Sequence, residues 1–228
     1  MLRIAAMPDL HLSSEYPPAL ASLLQRLYDA TYKLNQEGSS LGMNQQHSIY
    51  WRYASEPNVR SICEIGFNTG VSAALWLTAS KTARVNMFDI WSHSAAPVAE
   101  RYLREHVPGA DERLVIHKGP SHQTLAKAAA SGLQCDLLSI DGGHKYYEAL
   151  FDLKGMWRLA SSNHTAVFMD DTNCQAPWCK PVVAALRDFN QSVDGRLEVV
   201  EAHSWHHHTH GYSKGLSVMR YPPHRRAE

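Results

Sequence analysis

Apolar positions early in the chain recur at helical spacing. Between Tyr16 and Asn35, Leu20, Leu23, Leu24, Leu27, Tyr28 and Leu34 follow the Pro17-Pro18 pair, and steps of three and four after a proline start predict a helix. A second, shorter helix is expected over Asn44 to Ala54, closed by Glu56-Pro57. From Arg60 the pattern changes to short apolar runs alternating with helical stretches. The runs Ser61–Ile65, Arg84–Phe88 (ending in Asp89), Arg113–His117, Cys135–Ile140 and Thr165–Met169 read as strands. Helices are expected between them at 70–80, 95–106 and 121–131. Another carries the apolar stripe Tyr147, Leu150, Leu153, Trp157 and Ala160. After a last helix over Val182–Asn190, Leu197–His203 and Gly215–Tyr221 have only a loop between them and read as an antiparallel hairpin.

Strand and helix alternation of this kind implies right-handed crossovers and a mainly parallel, doubly wound α/β sheet covered on both faces. The hairpin completes it as a seven-stranded sheet. The expected organisation is an amino-terminal helical cap or lid over 1–57, the main domain over 58–221 and a tail over 222–228. Ligands of such sheets bind at the carboxyl ends of the strands, so the residues there matter most.

Two of those ends are acidic. Asp141-Gly142-Gly143-His144 follows the fourth strand, and Asp170-Asp171 ends the fifth. Three carboxylates and an imidazole brought to one edge suit a hard divalent cation such as magnesium, because carboxylate oxygens favour it over softer metals. The competing reading is that Asp141 and the Asp170-Asp171 pair only cap turns and helices.

The first strand runs into Glu64-Ile-Gly66-Phe-Asn68-Thr-Gly70-Val-Ser72. Its glycines depart from the G-x-G-x-x-G of a dinucleotide site. A carboxylate ahead of the first glycine suits a ligand bearing an ammonium and a sulfonium better than a pyrophosphate. Asp89, ending the second strand, is placed to accept hydrogen bonds from both hydroxyls of a ribose. A plain tight turn needing glycine is the alternative.

Composition narrows the partners. Lys plus Arg number 22 and so do Asp plus Glu, so no global field draws in nucleic acid or anionic membrane. A small-molecule substrate is expected, with no nucleic acid and no membrane partner. The 228 residues are 44% hydrophobic and 19% charged, the balance of a soluble domain. No run approaches a membrane span and the amino terminus lacks a signal-peptide core, so a cytoplasmic location is expected. The 4 cysteines form no C-x-x-C pair and are expected as structural thiols rather than disulfides or zinc ligands.

With these motifs together, the sequence resembles the class I S-adenosylmethionine-dependent methyltransferases, over about residues 42–221. Within that class it is similar to the metal-dependent O-methyltransferases of the catechol and caffeoyl-coenzyme A type and their macrolide-sugar relatives. The matching residues are Glu64 to Gly70, Asp89, Lys118-Gly-Pro-Ser121, Asp141 to His144, Asp170-Asp171 and the hairpin segment Gly211 to Val218. The resemblance implies a Rossmann-like fold, S-adenosylmethionine and a divalent cation as cofactors, and transfer of a methyl group to a small-molecule hydroxyl. Glu64, Gly66, Asn68, Gly70 and Ser72 would hold the methionine end, Asp89 the ribose, and Ile90, Trp91, Gly119 and Ser121 the adenine, with Met43 and Asn44 aligning loosely with a closing segment. Asp141, which also borders the cofactor, would bind metal with Asp170 and Asp171, and His144 would act as base. The catechol enzymes have asparagine and lysine where this chain has Asp171 and His144, which moves the expectation away from a catechol acceptor. A metal-independent methyltransferase using His144 alone, and a non-catalytic cofactor- or metal-binding module, are the alternatives.

Two further stretches stand out. The loop Asn173 to Pro181 leaves the acidic edge directly, and its Trp178 is placed either to cover an acceptor or to pack on the sheet. His203 to His210 holds five of the 14 histidines, and can bind substrate, supply a base, hold a soft metal or simply be solvated. The amino-terminal helices are candidates for a lid or a homodimer contact.

Overall fold

The computed structural model describes residues 17–34, 40, 43–161, 165–206 and 212–222. These form two compact units, within Leu10–Pro120 and Ser121–Glu228. The seven strands belong to one mixed sheet ordered β3-β2-β1-β4-β5-β7-β6.

In the first unit, helix α1 (Pro18–Thr31) precedes a 3-10 turn at Tyr32–Leu34, then α2 (Asn44–Ala54), β1 (Ser61–Ile65), α3 (Val71–Ala79), β2 (Arg84–Asp89), α4 (Ala95–His106), the short α5 (Ala110–Arg113) and β3 (Leu114–Lys118). The expected first helix is therefore shorter than 16–35. Its α part ends where Thr31 Oγ1 donates to the Leu27 carbonyl at 2.9 Å, and Tyr16 and Asn35 lie outside the described residues. Pro18 opens it, a position where its missing N–H costs nothing. Leu20, Leu23, Leu24 and Leu27 form the buried stripe, each contributing about 2 kcal/mol by leaving water. Strands β1, β2 and β3 run parallel, with Ile62 opposite Val85 and Asn86 opposite Val115. On α2, Tyr50 stacks on Trp76 of α3 with ring centroids 4.5 Å apart. Arg113 donates to the Leu77 and Ser80 carbonyls at 3.0 and 2.8 Å. This satisfies orphan acceptors at the end of α3 and explains the α5 turn, which the apolar pattern did not predict.

The second unit contains α6 (Ser121–Ala130), β4 (Leu137–Ile140), α7 (Tyr146–Leu159), β5 (Ala166–Asp170), α8 (Cys179–Ser192), β6 (Glu198–His206) and β7 (Ser213–Arg220). Strands β4 and β5 are parallel, whereas β7 pairs antiparallel with both β5 and β6. The hairpin is longer than expected on its turn side.

Helix α7 corrects the expected stripe. Its buried residues are Ala149, Asp152, Leu153, Met156 and Leu159, while Tyr147 is 70% exposed. Packing against α6 decides this, since Gly155 lets the Leu125 side chain come within 2.6 Å of where a Cβ would sit. The helix rotates toward that contact and takes Asp152 inside. Beyond β7, Tyr221 donates to the Leu153 carbonyl and Trp157 to the Pro222 carbonyl, both at 2.9 Å.

The cysteine expectation is also corrected. Cys174 and Cys179 form a disulfide with Cα atoms 6.1 Å apart, and neither Cys63 nor Cys135 is free. The loop after β5 turns back within one helical turn of α8, which brings the first pair inside bonding range without any C-x-x-C motif.

Candidate functional site

The glycine-rich turn is built around two carboxylates. Glu64, buried in β1, accepts hydrogen bonds on Oε2 from Ser72 Oγ at 2.6 Å and Trp76 Nε1 at 2.9 Å, which fixes the start of α3 against the strand. Between them the backbone passes through left-handed φ at Gly66, Asn68 and Gly70. A Cβ at Gly70 would fall 3.1 Å from the Leu103 side chain and 3.2 Å from Ala99, so glycine is required there for both conformation and space.

Asp89 ends β2 and organises the same turn. Its Oδ2 accepts from the Phe67 and Asn68 amides at 2.8 and 3.3 Å, and its Oδ1 from the Trp91 amide at 2.6 Å. A carboxylate oxygen has two lone pairs, so Oδ1 keeps one acceptor position for a ligand hydroxyl. The expected ribose role thus shares this residue with a structural one. Ile90 is 60% exposed. Trp91 has φ 63, lies 5.6 Å from the Phe67 ring and carries the Lys118 ammonium 4.0 Å above its own. Gly119 donates to the Asp89 carbonyl at 2.8 Å. Glu64, Gly66, Asn68, Gly70, Ser72, Asp89, Trp91 and Gly119 are therefore one local assembly. Met43 is the residue before α2, Asn44 its first residue and Ser121 the first of α6.

The acidic edge lies in the second unit. Asp141, Gly142, Gly143, His144, Asp170 and Asp171 line one pocket. Glu148 folds back over Gly143, accepting from the Lys145 amide at 3.4 Å and from its ammonium at 3.2 Å. Lys145 and Glu148 form the capping box of α7. Asp171 makes no cap hydrogen bond at the start of α8. It stands at φ 55, a backbone conformation rare outside glycine and tolerated by aspartate. Its Oδ1 accepts from the Trp178 indole at 3.0 Å and its Oδ2 lies 2.8 Å from His144 Nε2. Trp178 thereby reaches the acidic edge itself.

One ligand atom each from Asp141, His144 and Asp171 lies within 4.8 Å of the others. The converging set therefore includes His144, while Asp170 sits beside it, buried, with Oδ2 3.8 Å from the Lys214 ammonium and Oδ1 without a hydrogen-bond partner. Burial pushes the Asp170 carboxyl up to about 6. Burial also raises Asp171, but hydrogen bonds from His144 and Trp178 and the Lys214 charge outweigh it and hold that carboxyl below its usual range. The hydrogen bond to Asp171 raises His144 above 6.5 against the opposing effect of burial. Two carboxylates, an imidazole and an orphaned buried carboxylate oxygen fit a divalent cation.

Residues 63–172 match the family of methyltransferase domains. No curated protein matches the chain. Among solved structures, the chain is similar to the O-methyltransferase TomG from Streptomyces achromogenes, involved in tomaymycin synthesis and solved with SAM (20% identity, TM-score 0.67, 92% of this chain and 93% of that one). It is similar to an O-methyltransferase from Bacillus cereus in complex with SAH (18% identity, TM-score 0.66, 91% and 92% covered). A third is the cofactor-bound Rv0187 from MTB (23% identity, TM-score 0.64, 93% of each chain). At these identities the likeness establishes the fold.

Lys214 is the residue at this edge that the sequence pattern did not single out. It lay inside the quoted hairpin segment, and strand alternation puts it on one face with Leu216, opposite Asp170 in the β5–β7 register. Of the histidine-rich stretch, His203 pairs with Glu201 at 2.9 Å. His207, His208 and His210 lie outside the described residues, as does the side chain of His206.

Proposed function

We propose that the chain is an S-adenosylmethionine-dependent O-methyltransferase that methylates a hydroxyl of a small molecule with the help of a divalent cation. The turn from Glu64 to Ser72, with Asp89, Trp91 and Gly119, holds the methyl donor. The cofactor-bound state of similar structures supports that assignment. Asp141 and Asp171 hold the cation, with Asp170 Oδ1 as the adjoining acid. A bound divalent ion lowers the proton affinity of a hydroxyl and fixes its oxygen for in-line attack on the sulfonium methyl. His144 takes the proton. The observation that carries this reading is the convergence of Asp141, His144 and Asp171 within 4.8 Å.

A second reading is favoured by the 2.8 Å contact of His144 with Asp171. There Asp171 orients His144 as a general base and no cation takes part. Turnover of diols, phenols and sugar hydroxyls, followed by release of demethylated cofactor with and without chelator, separates the two. Loss with chelator and recovery with magnesium support the first. In that case Asp141→Asn abolishes turnover and leaves cofactor affinity intact, and normal turnover of the variant refutes the cation assignment.

Among the described residues, no helix is long and apolar enough to cross a membrane. We place the activity in the cytoplasm, with a small-molecule acceptor, no nucleic-acid or membrane partner, and the amino-terminal helices as a lid or homodimer contact. The Cys174–Cys179 bridge argues in the other direction, since mesophile cytosol keeps most thiols reduced.

A further inference from the structure

The acidic edge holds a cation of its own. Lys214 lies on β7, and its side chain is only 21% exposed. Its ammonium stands 3.8 Å from Asp170 Oδ2, too far for a hydrogen bond and close enough for a strong charge interaction. Burial alone would lower its basicity, yet the charges of Asp170, Asp141 and Asp171 keep it raised.

The backbone under Lys214 is fixed to the segment that carries the acids. The Thr172 amide donates to the Gly215 carbonyl at 3.2 Å, Thr172 Oγ1 to Ser217 Oγ at 2.8 Å, Asn173 Nδ2 to the same oxygen at 3.3 Å, and the Gln175 amide to Ser213 Oγ at 3.1 Å. A Cβ at Gly215 would run into the Thr172 carbonyl, so the two segments touch without room for a side chain. Lys214 is therefore carried beside the acids whatever its side chain does. Only the flexible stem can withdraw the ammonium.

We propose that Lys214 is the built-in counter-cation of the acidic edge, which neutralises Asp170 and competes with the divalent ion for the same carboxylates. This rests on the cation reading above. Like charges repel at this range, so a metal ion binds only as the ammonium swings aside or at a penalty from its field. Lys214 thereby sets how much divalent ion the site requires. It is a positioning residue, not one that meets the acceptor.

The test is calorimetric titration of the full chain with manganese and with magnesium, without cofactor or acceptor, on the wild type, Lys214→Met, Lys214→Arg and Asp141→Asn. Lys214→Met is expected to bind either ion at least tenfold more tightly, and Lys214→Arg to stay within threefold of the wild type. After chelation, Lys214→Met should melt below the wild type, and magnesium should raise its melting point by more than it raises that of the wild type. If Lys214→Met folds only with magnesium present, that dependence supports the proposal equally, whereas failure to fold with or without the ion overturns it. Unchanged or weaker affinity in Lys214→Met overturns it while leaving the cation reading standing, provided Asp141→Asn has lost binding. Wild-type affinity in Asp141→Asn overturns both.

Discussion

The imidazole of His144 and the carboxylate of Asp171 meet at 2.8 Å although one is half exposed and the other almost wholly buried. The hydrogen bond favours the charged imidazolium and the charged carboxylate together, which is why the two groups shift in opposite directions. In chelated protein His144 is expected to titrate above its ordinary 6.5, and the stability from this pair is present below that pH and fades as pH rises through the shifted value. Asp171→Asn should return the imidazole toward 6.5 and move the acid limb of the kcat/KM profile down in pH, with a loss of about 100-fold or more. Histidine proton resonances followed against pH report the first effect directly. A titration indifferent to the substitution would remove the pairing.

Asp152, buried in α7, gives a stability prediction. Its Oδ1 has no hydrogen-bond partner, and burial raises the carboxyl to about 6 from 3.8. Between those values the folded chain binds more protons than the unfolded one, so stability falls as pH rises through the window and the full penalty is present above it. At about 1.4 kcal/mol per unit, Asp152→Asn should stabilise the protein by up to about 3 kcal/mol at pH 7.5 and by nothing measurable near pH 3.5. Thermal melts at the two pH values decide it, and an equal shift at both would show that ionisation is not the cause.

Gly215→Ala should destabilise by on the order of 1–3 kcal/mol or more, because the new methyl meets backbone that cannot rotate away. The same variant should weaken manganese binding, since the segment carrying Asp170 and Asp171 must shift. Denaturant melts and metal titration check the two effects, and a variant as stable as the wild type would mean that β7 and the Thr172 segment are less tightly joined than described.

Reducing Cys174–Cys179 frees a short loop, for which the chain-entropy model gives about 2 kcal/mol. The loop holds Trp178 against Asp171, so reduction should also change tryptophan fluorescence. Rapid alkylation of Cys174 in native, unreduced protein would contradict the bridge.

Much of this was legible beforehand because strand ends and helix periods depend on local pattern. Asn44–Ala54 and Ala95–His106 came out to the residue, and Asp141, His144 and Asp171 fall together because each ends or follows a strand. Tertiary contacts wrote the rest. The inward turn of Asp152 follows from Gly155 meeting Leu125, a helix crossing that no period reveals. Lys214 became visible only because Leu216, two residues on along β7, stands opposite Asp170 of β5. The second oxygen of Asp89 binds a backbone amide because Trp91 bends into left-handed φ, which aromatic residues rarely announce. The Cys174–Cys179 bridge needed the loop path, not the spacing.

The bonds that zip residues 172–175 onto 213–217 join the acids to β7, the last strand among the described residues. Domains emerge from synthesis in order, amino terminus first, so Asp141, Asp170 and Asp171 exist as residues well before they exist as a site. A nascent or truncated chain ending before Ser213 would carry every proposed ligand and lack the strand that sets their positions. Charge is thus gathered on one edge only after β7 has been made and has paired with that segment.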